Sequence, residues 1–207
     1  MKTKEKILNA ALDLFSAQGY EDTSVAEIAE AVGIKAPSLY NHYHSKQEIF
    51  AAILHKIEEQ YRQQVSMLHL DGNLPELDAA RYEGISGETL FSMVLQIFRF
   101  FLQDPYAAKC RKMMSLEQYR STEAAALYKK QYYDDPIAYE TELFRRLIQG
   151  EMFRNSDPET MALQFYAPIF MLLQLCDVDP RKIPEAEEML RRHIIAFHRA
   201  QKRETRI

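Results

Sequence analysis

Apolar residues recur along this chain at the spacing of an α-helix almost from its first residues to its last. Ile7, Leu8, Ala11, Leu12 and Phe15 fall on one face at a period of 3.6. Thr3 is placed to cap that helix and Gly19 to stop it. Thr23 or Ser24 caps a short second helix, with Glu27 three residues after Ser24 as in a capping box. Its inward positions are Val25, Ile28, Ala29 and Val32, and Gly33 breaks it. A third short helix starts near Lys35, with Pro37 in its first turn, where a missing N–H costs nothing. Ser45 caps a fourth, whose apolar positions run through Ile49, Phe50, Ile53, Leu54, Ile57, Tyr61, Val65 and Leu68.

The stretch 71–87 holds Gly72, Pro75, Gly84 and Gly87 and reads as a long connection. Helical spacing resumes over 88–103, 106–119 and 122–148, with Pro136 set to kink or break the last of these. Asp157-Pro158 starts another helix, to about Cys176, and Pro184 starts the final one, to about Gln201. No period-two alternation, internal repeat or low-complexity segment interrupts the pattern. The expectation is an all-α chain, with a three-helix N-terminal domain over 1–46 and a larger helical bundle over 47–207.

Composition adds little against this picture. Hydrophobic residues make up 47% and charged residues 27%, as in an ordinary soluble protein. Cys110 and Cys176 are far apart and form no CxxC pattern, so neither a disulfide framework nor a zinc site is expected. The apolar residues of the first fifteen are spaced, unlike a signal peptide. The most apolar run, Met161 to Cys176, is broken by Gln164, Pro168 and Gln174 and is shorter than the ~20 residues of a membrane span. A cytoplasmic protein without a membrane partner is expected. A net charge of −4 argues against a general nucleic-acid coat, but leaves room for a small DNA-binding face on an acidic body.

The short helix, Gly turn and short helix over Ser24 to Tyr43 form a helix-turn-helix pattern, in which the second helix lies in the DNA major groove. Lys35, Ser38, Tyr40, Asn41 and His42 crowd polar groups and one aromatic onto two turns, while only Leu39 and Tyr43 face inward. So little apolar surface fits an external partner better than a core. The stretch TSVAEIAEAVGIKAPSLYNHYHSKQEIF resembles the DNA-binding domain of the TetR (tetracycline repressor) family. The likeness lies in Thr23-Ser24, Ile28-Ala29, Val32-Gly33-Ile34, Ser38-Leu39-Tyr40, His42-Tyr43, Ser45-Lys46 and Phe50. Ala10-Ala11, Leu14-Phe15 and Gly19-Tyr20 extend it upstream; beyond about residue 55 the similarity is only general. Ala26 departs from it, standing where many members have a basic residue. The first 46 residues hold five lysines against six acids.

The chemistry of the side chains suggests roles, with the resemblance supplying the geometry. Asn41 can pair with an adenine edge, Ser38 with a base or a phosphate, and Ala36 and Pro37 with a thymine methyl. Tyr40, His42 and Lys46 suit phosphate, with Lys46 in the first turn of its helix. Lys35, Thr23 and Ser24 complete the expected DNA-binding set. His42 and His44 do not share a helix face, so no metal is expected there.

In the larger half, Met161 to Leu175 is apolar nearly all round. The last helix carries Ala186, Leu190, His193, Ile194 and Phe197 on one face. Two such helices suggest a two-fold interface through Phe165, Ile169, Leu172, Leu190, Ile194 and Phe197, and the resemblance implies the same. The middle helices are rich in aromatics and methionine. Phe91, Phe98, Met113, Met114, Tyr119, Tyr128 and Tyr132 are candidates to line an effector pocket, with Arg99, Arg111, Glu117 and Arg120 among them to orient a ligand. The resemblance implies a small apolar or aromatic effector that releases a homodimeric repressor from a palindromic operator. No cofactor is implied. No nucleophile elbow, phosphate loop or metal cluster favours an enzyme, and a helical interaction module is the remaining alternative.

Overall fold

Several helices begin or end where a side chain or a glycine takes over orphaned backbone groups, as at α2, α7 and α10, whereas α1 starts at Thr3 itself, after Lys2, with no side-chain cap. A computed structural model describes residues 2–120 and 122–203, with Glu123 described by its backbone alone. The helices are α1 (Thr3–Gln18), α2 (Val25–Val32), α3 (Ala36–Tyr40), α4 (Lys46–Met67), α5 (Pro75–Asp78) and α6 (Gly87–Gln103). They continue with α7 (Pro105–Glu117), α8 (Thr122–Lys129), α9 (Asp135–Gln149), α10 (Pro158–Val178) and α11 (Ile183–Gln201). The described residues hold no strand, only an isolated bridge between Phe153 and Lys202. The chain is all-α, as its periodicity predicts.

At α2 the capping box is complete: Ser24 Oγ accepts from Glu27 N–H (3.1 Å), and Glu27 Oε2 accepts from Ser24 N–H (2.6 Å). These bonds, first from the backbone and then from the hydroxyl of Ser24, with Gln18 adding a third, hold the Glu27 carboxyl below the usual range. Gly33 closes α2 at φ 75°, a left-handed turn that glycine adopts without strain. Asp104 and Asp157 cap α7 and α10, each followed by a proline in the first turn. The sequence pattern over 122–148 divides in two. A π-helical turn over Lys130–Asp134 separates α8 from α9, and Pro136 sits in the first turn of α9 rather than inside a helix.

The backbone contacts group into two compact units, each with its own core. The first takes residues 1–61 and 103–128, so it holds the beginning of α4 and the whole of α7 besides the three N-terminal helices. Ile7, Ala11, Leu12, Phe15, Ile28, Leu39, Ile49 and Ile53 are buried in it, as are Cys110, Met113 and Met114 of α7. Rings of Phe15, Tyr20 and Phe50 pack edge-on or tilted, with centroids 5.1 to 6.3 Å apart. Polar ties join α7 to its neighbours. Lys109 pairs with Asp13, Tyr106 O–H donates to Ile53 C=O (3.4 Å), and Lys56 Nζ lies 4.3 Å from the Tyr106 ring centre.

The second unit takes residues 62–102 and 129–207. Its core centres on Phe144, whose ring meets Phe153, Phe165 and Phe197 at 5.4 to 6.0 Å. Helix α10 is 21 residues long, and by length and composition it is long and apolar enough to cross a membrane. The helix is longer than the apolar run itself. The Asp157 cap and Pro158 carry the helix past the start of that run, and Asp177 and Val178 extend its end. Met161, Ala162, Phe165, Leu172, Leu173 and Cys176 of α10 are buried in the core of this unit. His193 of α11 hydrogen-bonds through Nε2 to Phe165 C=O (3.0 Å).

Candidate nucleic-acid interface

The turn between α2 and α3 is short because Gly33 reverses the chain and Lys35 lies directly before α3. Helix α3 is anchored by two side chains only, Leu39 (0% exposed) and Tyr43 just beyond it (4%). The opposite side carries Lys35, Pro37, Ser38, Tyr40 and Asn41, all exposed, with Ala36 and His42 half-buried. The side chains of Ser38, Tyr40, Asn41 and His42 have no hydrogen-bond partner among the described residues. Donors, acceptors and one aromatic ring are therefore left unspent on a helix whose inner face is already satisfied.

The other three residues of the expected set are placed differently. Thr23 is 1% exposed; its hydroxyl donates to Gly19 C=O (2.7 Å) and accepts from Gln18 Nε2 (3.3 Å). Ser24 is exposed, but its hydroxyl is the α2 cap. The Lys46 ammonium donates to Tyr20 C=O (2.7 Å), Thr23 C=O (3.0 Å) and Glu21 C=O (3.2 Å). It also lies 4.3 Å from the Tyr20 ring centre. An ammonium has three protons, and these three acceptors use them. In this arrangement Lys46 ties the start of α4 to the turn after α1. The first turn of its helix carries its own cap. There Ser45 Oγ accepts from Glu48 N–H (3.0 Å) and Glu48 Oε2 from His44 N–H (2.6 Å).

The effector and interface candidates scatter. Met113, Met114, Tyr119 and Tyr128 belong to the first unit, and Phe91, Phe98 and Tyr132 to the second. Met113, Met114, Phe98, Tyr128 and Tyr132 are buried, Phe91 is half-buried, and Tyr119 is 86% exposed. Of the four charged residues among them, Arg99 is spent on a two-bond pair with Glu187 (2.7 and 2.6 Å). Arg111 and Glu117 are buried, and Glu117 and Arg120 hold the turn after α1. Phe165, Leu172, Leu190, Ile194 and Phe197 pack in the core of the chain's own second unit, with Ile169 partly buried against it. Residues at 0% exposure, such as Leu190 and Ile194, have no surface left to offer a second copy. Helix α10 does present apolar surface elsewhere: Leu163 is 57% exposed, Met171 54% and Val178 86%.

Comparison with known proteins places this geometry. The family model of bacterial regulatory proteins of the tetR family matches residues 7–53. The chain is 28% identical over 129 residues to the uncharacterized HTH-type transcriptional regulator YdgC of Bacillus subtilis, covering 60% of this chain and 66% of that one. It is 47% identical over 47 residues to IcaR of Staphylococcus epidermidis, the HTH-type negative transcriptional regulator of the biofilm operon icaADBC, covering 23% and 25%. The match thus spans just under two thirds of the first relative and about a quarter of the second. Among solved structures, a TetR family transcriptional regulator from Pseudomonas syringae pv. tomato superimposes with a TM-score of 0.70 at 19% identity, covering 99% of this chain and all of that one. SmeT, the repressor of the Stenotrophomonas maltophilia multidrug efflux pump SmeDEF, superimposes with 0.67 at 20% identity, covering 99% and 92%. At these identities the likeness shows the fold: an N-terminal helix-turn-helix followed by a larger helical part.

Proposed function

Because the chain belongs to the TetR family of bacterial regulatory proteins, we propose that it is a transcriptional regulator that reads a palindromic operator as a homodimer. The observation that carries this is the outer side of α3. Ser38, Tyr40 and Asn41 stand exposed with unspent polar groups, backed by only Leu39 and Tyr43. Asn41 reads an adenine edge, Ser38 a neighbouring base or phosphate, and Ala36 and Pro37 a thymine methyl. Tyr40 and His42 set the register on phosphate, with Lys2, Lys4, Lys6 and Lys35 supplying positive charge around α1 and α3. The anion at the start of α4 is held by backbone N–H groups, since the Lys46 ammonium is engaged inside the protein.

Repression is the proposed direction, in line with the negative regulator IcaR and the repressor SmeT. The dimer forms through the exposed side of α10, where Leu163 and Met171 are presented. A small apolar or aromatic effector releases the DNA; SmeT itself forms a complex with triclosan. Selection of duplexes from a random pool by the purified protein tests the core of the reading. A palindrome with half-sites about one helical turn apart supports it, and enrichment of no duplex sinks it.

A further inference from the structure

Tyr20, in the turn after α1, is held from two sides. Its N–H donates to Glu117 Oε1 at the end of α7 (2.9 Å), and its C=O accepts from Lys46 at the start of α4 (2.7 Å). Its ring is fixed by Phe15 and Phe50 (5.1 Å each) and lies under the Lys46 ammonium. Arg120 reaches the same turn, donating to Gln18 C=O and to Asp22 Oδ2 (3.3 Å each), and its guanidinium lies 3.6 Å from Glu117 Oε1. Gly19 makes room for it. A Cβ there would stand 2.0 Å from Arg120 Nη1 and 3.0 Å from Glu117 Oε1, and the backbone φ of 101° suits only glycine.

Glu117 is 1% exposed, and its second oxygen has no hydrogen-bond partner among the described residues. Burying a carboxyl that is only half satisfied is costly. Filling space does not explain it, because a methionine of similar length would fill the site without that cost. What the carboxyl adds is an acceptor for one backbone N–H, that of the residue whose carbonyl anchors Lys46. The chain of contacts is short: the end of α7, Tyr20, Lys46, the first turn of α4, and then α3 across the five residues 41–45.

We propose that Glu117 and Arg120 are positioning residues for DNA contact, so that the reading element comprises α1 to the start of α4 together with the end of α7. This rests on the DNA-binding reading given above. Neither residue touches DNA. They fix the turn on which Lys46 is seated, and so set where α3 and the start of α4 stand. A shift at the end of α7 then alters DNA affinity without removing any contact to base or phosphate.

The test uses the full chain with Glu117→Met, Arg120→Gln and the conservative Glu117→Gln, which keeps an acceptor for Tyr20 N–H. Three readouts are taken: affinity for a duplex selected by the wild type, the slope of log affinity against log salt, and amide hydrogen exchange over 18–24. Glu117→Met and Arg120→Gln are expected to bind about tenfold more weakly with the salt slope unchanged, and Glu117→Gln within about twofold of wild type. The Tyr20 amide is expected to lose protection in Glu117→Met and regain it in Glu117→Gln. Arg120 is partly exposed, so its variant tests the clasp even if Glu117→Met fails to fold. Wild-type affinity in Arg120→Gln and Glu117→Met overturns the proposal. If the wild type selects no duplex, the DNA reading falls, and exchange alone decides whether the clasp exists: an unprotected Tyr20 amide in the wild type overturns it.

Discussion

Replacing Lys46 by methionine separates two uses of one ammonium. The methionine keeps most of the stem and removes the charge. In the structure three carbonyls then lose their donor. The Glu21 bond is exposed, so water replaces it at little cost, whereas the Tyr20 and Thr23 bonds are partly buried. A hydrogen bond to a charged group contributes about 1.5–3 kcal/mol, and the cation over the Tyr20 ring about 0.5–1 kcal/mol more. Returning the ammonium to water offsets part of that sum. The expected net loss is about 2–4 kcal/mol, which for a chain of this size lowers the melting midpoint by about 5–10 °C.

A lysine spent on phosphate behaves otherwise. Its loss leaves the melting curve alone and makes the salt dependence of DNA binding shallower by about one counterion. Thermal melting by circular dichroism and fluorescence anisotropy titrations at several salt concentrations read both quantities on one preparation. The clamp predicts a lower midpoint with an unchanged slope. An unchanged midpoint with a slope reduced by about one refutes the reasoning and returns Lys46 to the phosphate backbone.

Further outcomes are expected. Asn41→Ala relaxes base preference at one operator position by about 1–3 kcal/mol while random duplexes bind as before; equal losses on both sink its base-reading role. Met171→Glu, on the exposed side of α10, yields monomers in sedimentation with the fold intact, whereas Leu190→Ala, fully buried in the second unit, costs about 2–5 kcal/mol of stability; a dimeric Met171→Glu variant places the interface elsewhere. Desolvation pushes the partly buried Glu140 carboxyl of α9 up to about 8, above its unfolded value near 4.5, so the folded chain loses stability as pH rises between those values; Glu140→Gln removes that decline and is more stable than wild type at pH 9 but not at pH 4, and parallel profiles for the two refute it. An effector, once found, binds more weakly by the same factor by which it weakens the operator, and equal affinities in calorimetric titrations with and without DNA show that it is no inducer.

Helix positions were legible because their signals are local. The box of Ser24 and Glu27, Gly33 at φ 75° and the Asp157-Pro158 start stand where the sequence puts them. Asp104-Pro105 carries the same signal as Asp157-Pro158, and with it α7 starts at Pro105, one residue before the reading from periodicity. The extent of α10 was less legible, because hydropathy marks the apolar run and capping marks the helix. What local signals cannot give is partnership. Phe165, Leu190 and Ile194 form an apolar stripe whether they face a second copy or α9, and only the packed chain shows Phe144 against Phe165 at 5.5 Å. The grouping of α7 with the N-terminal helices was illegible for the same reason. The contacts between Lys109 and Asp13, and between Glu117 and Tyr20, join residues about a hundred positions apart.

The candidate DNA site shows how far a motif resemblance reaches. Thr23, Ser24 and Lys46 belong to it as surely as Ser38 and Tyr40, yet their side chains serve different ends. The first three are spent inside the protein, on Gly19, on Glu27 and on the turn carbonyls, while the last two stand unspent outside. A motif records every residue needed for the domain to work, and a helix five residues long with two anchors needs its supports as much as its reading surface. Hydrogen-bond accounting separates the two groups, since a donor already engaged by a buried carbonyl must break that bond before it serves a phosphate. By that measure the reading surface narrows to Lys35 through His42, and the basic residues around it act through position rather than number. An acidic chain is compatible with such a site because the proposed reading surface is confined to a few groups on one face.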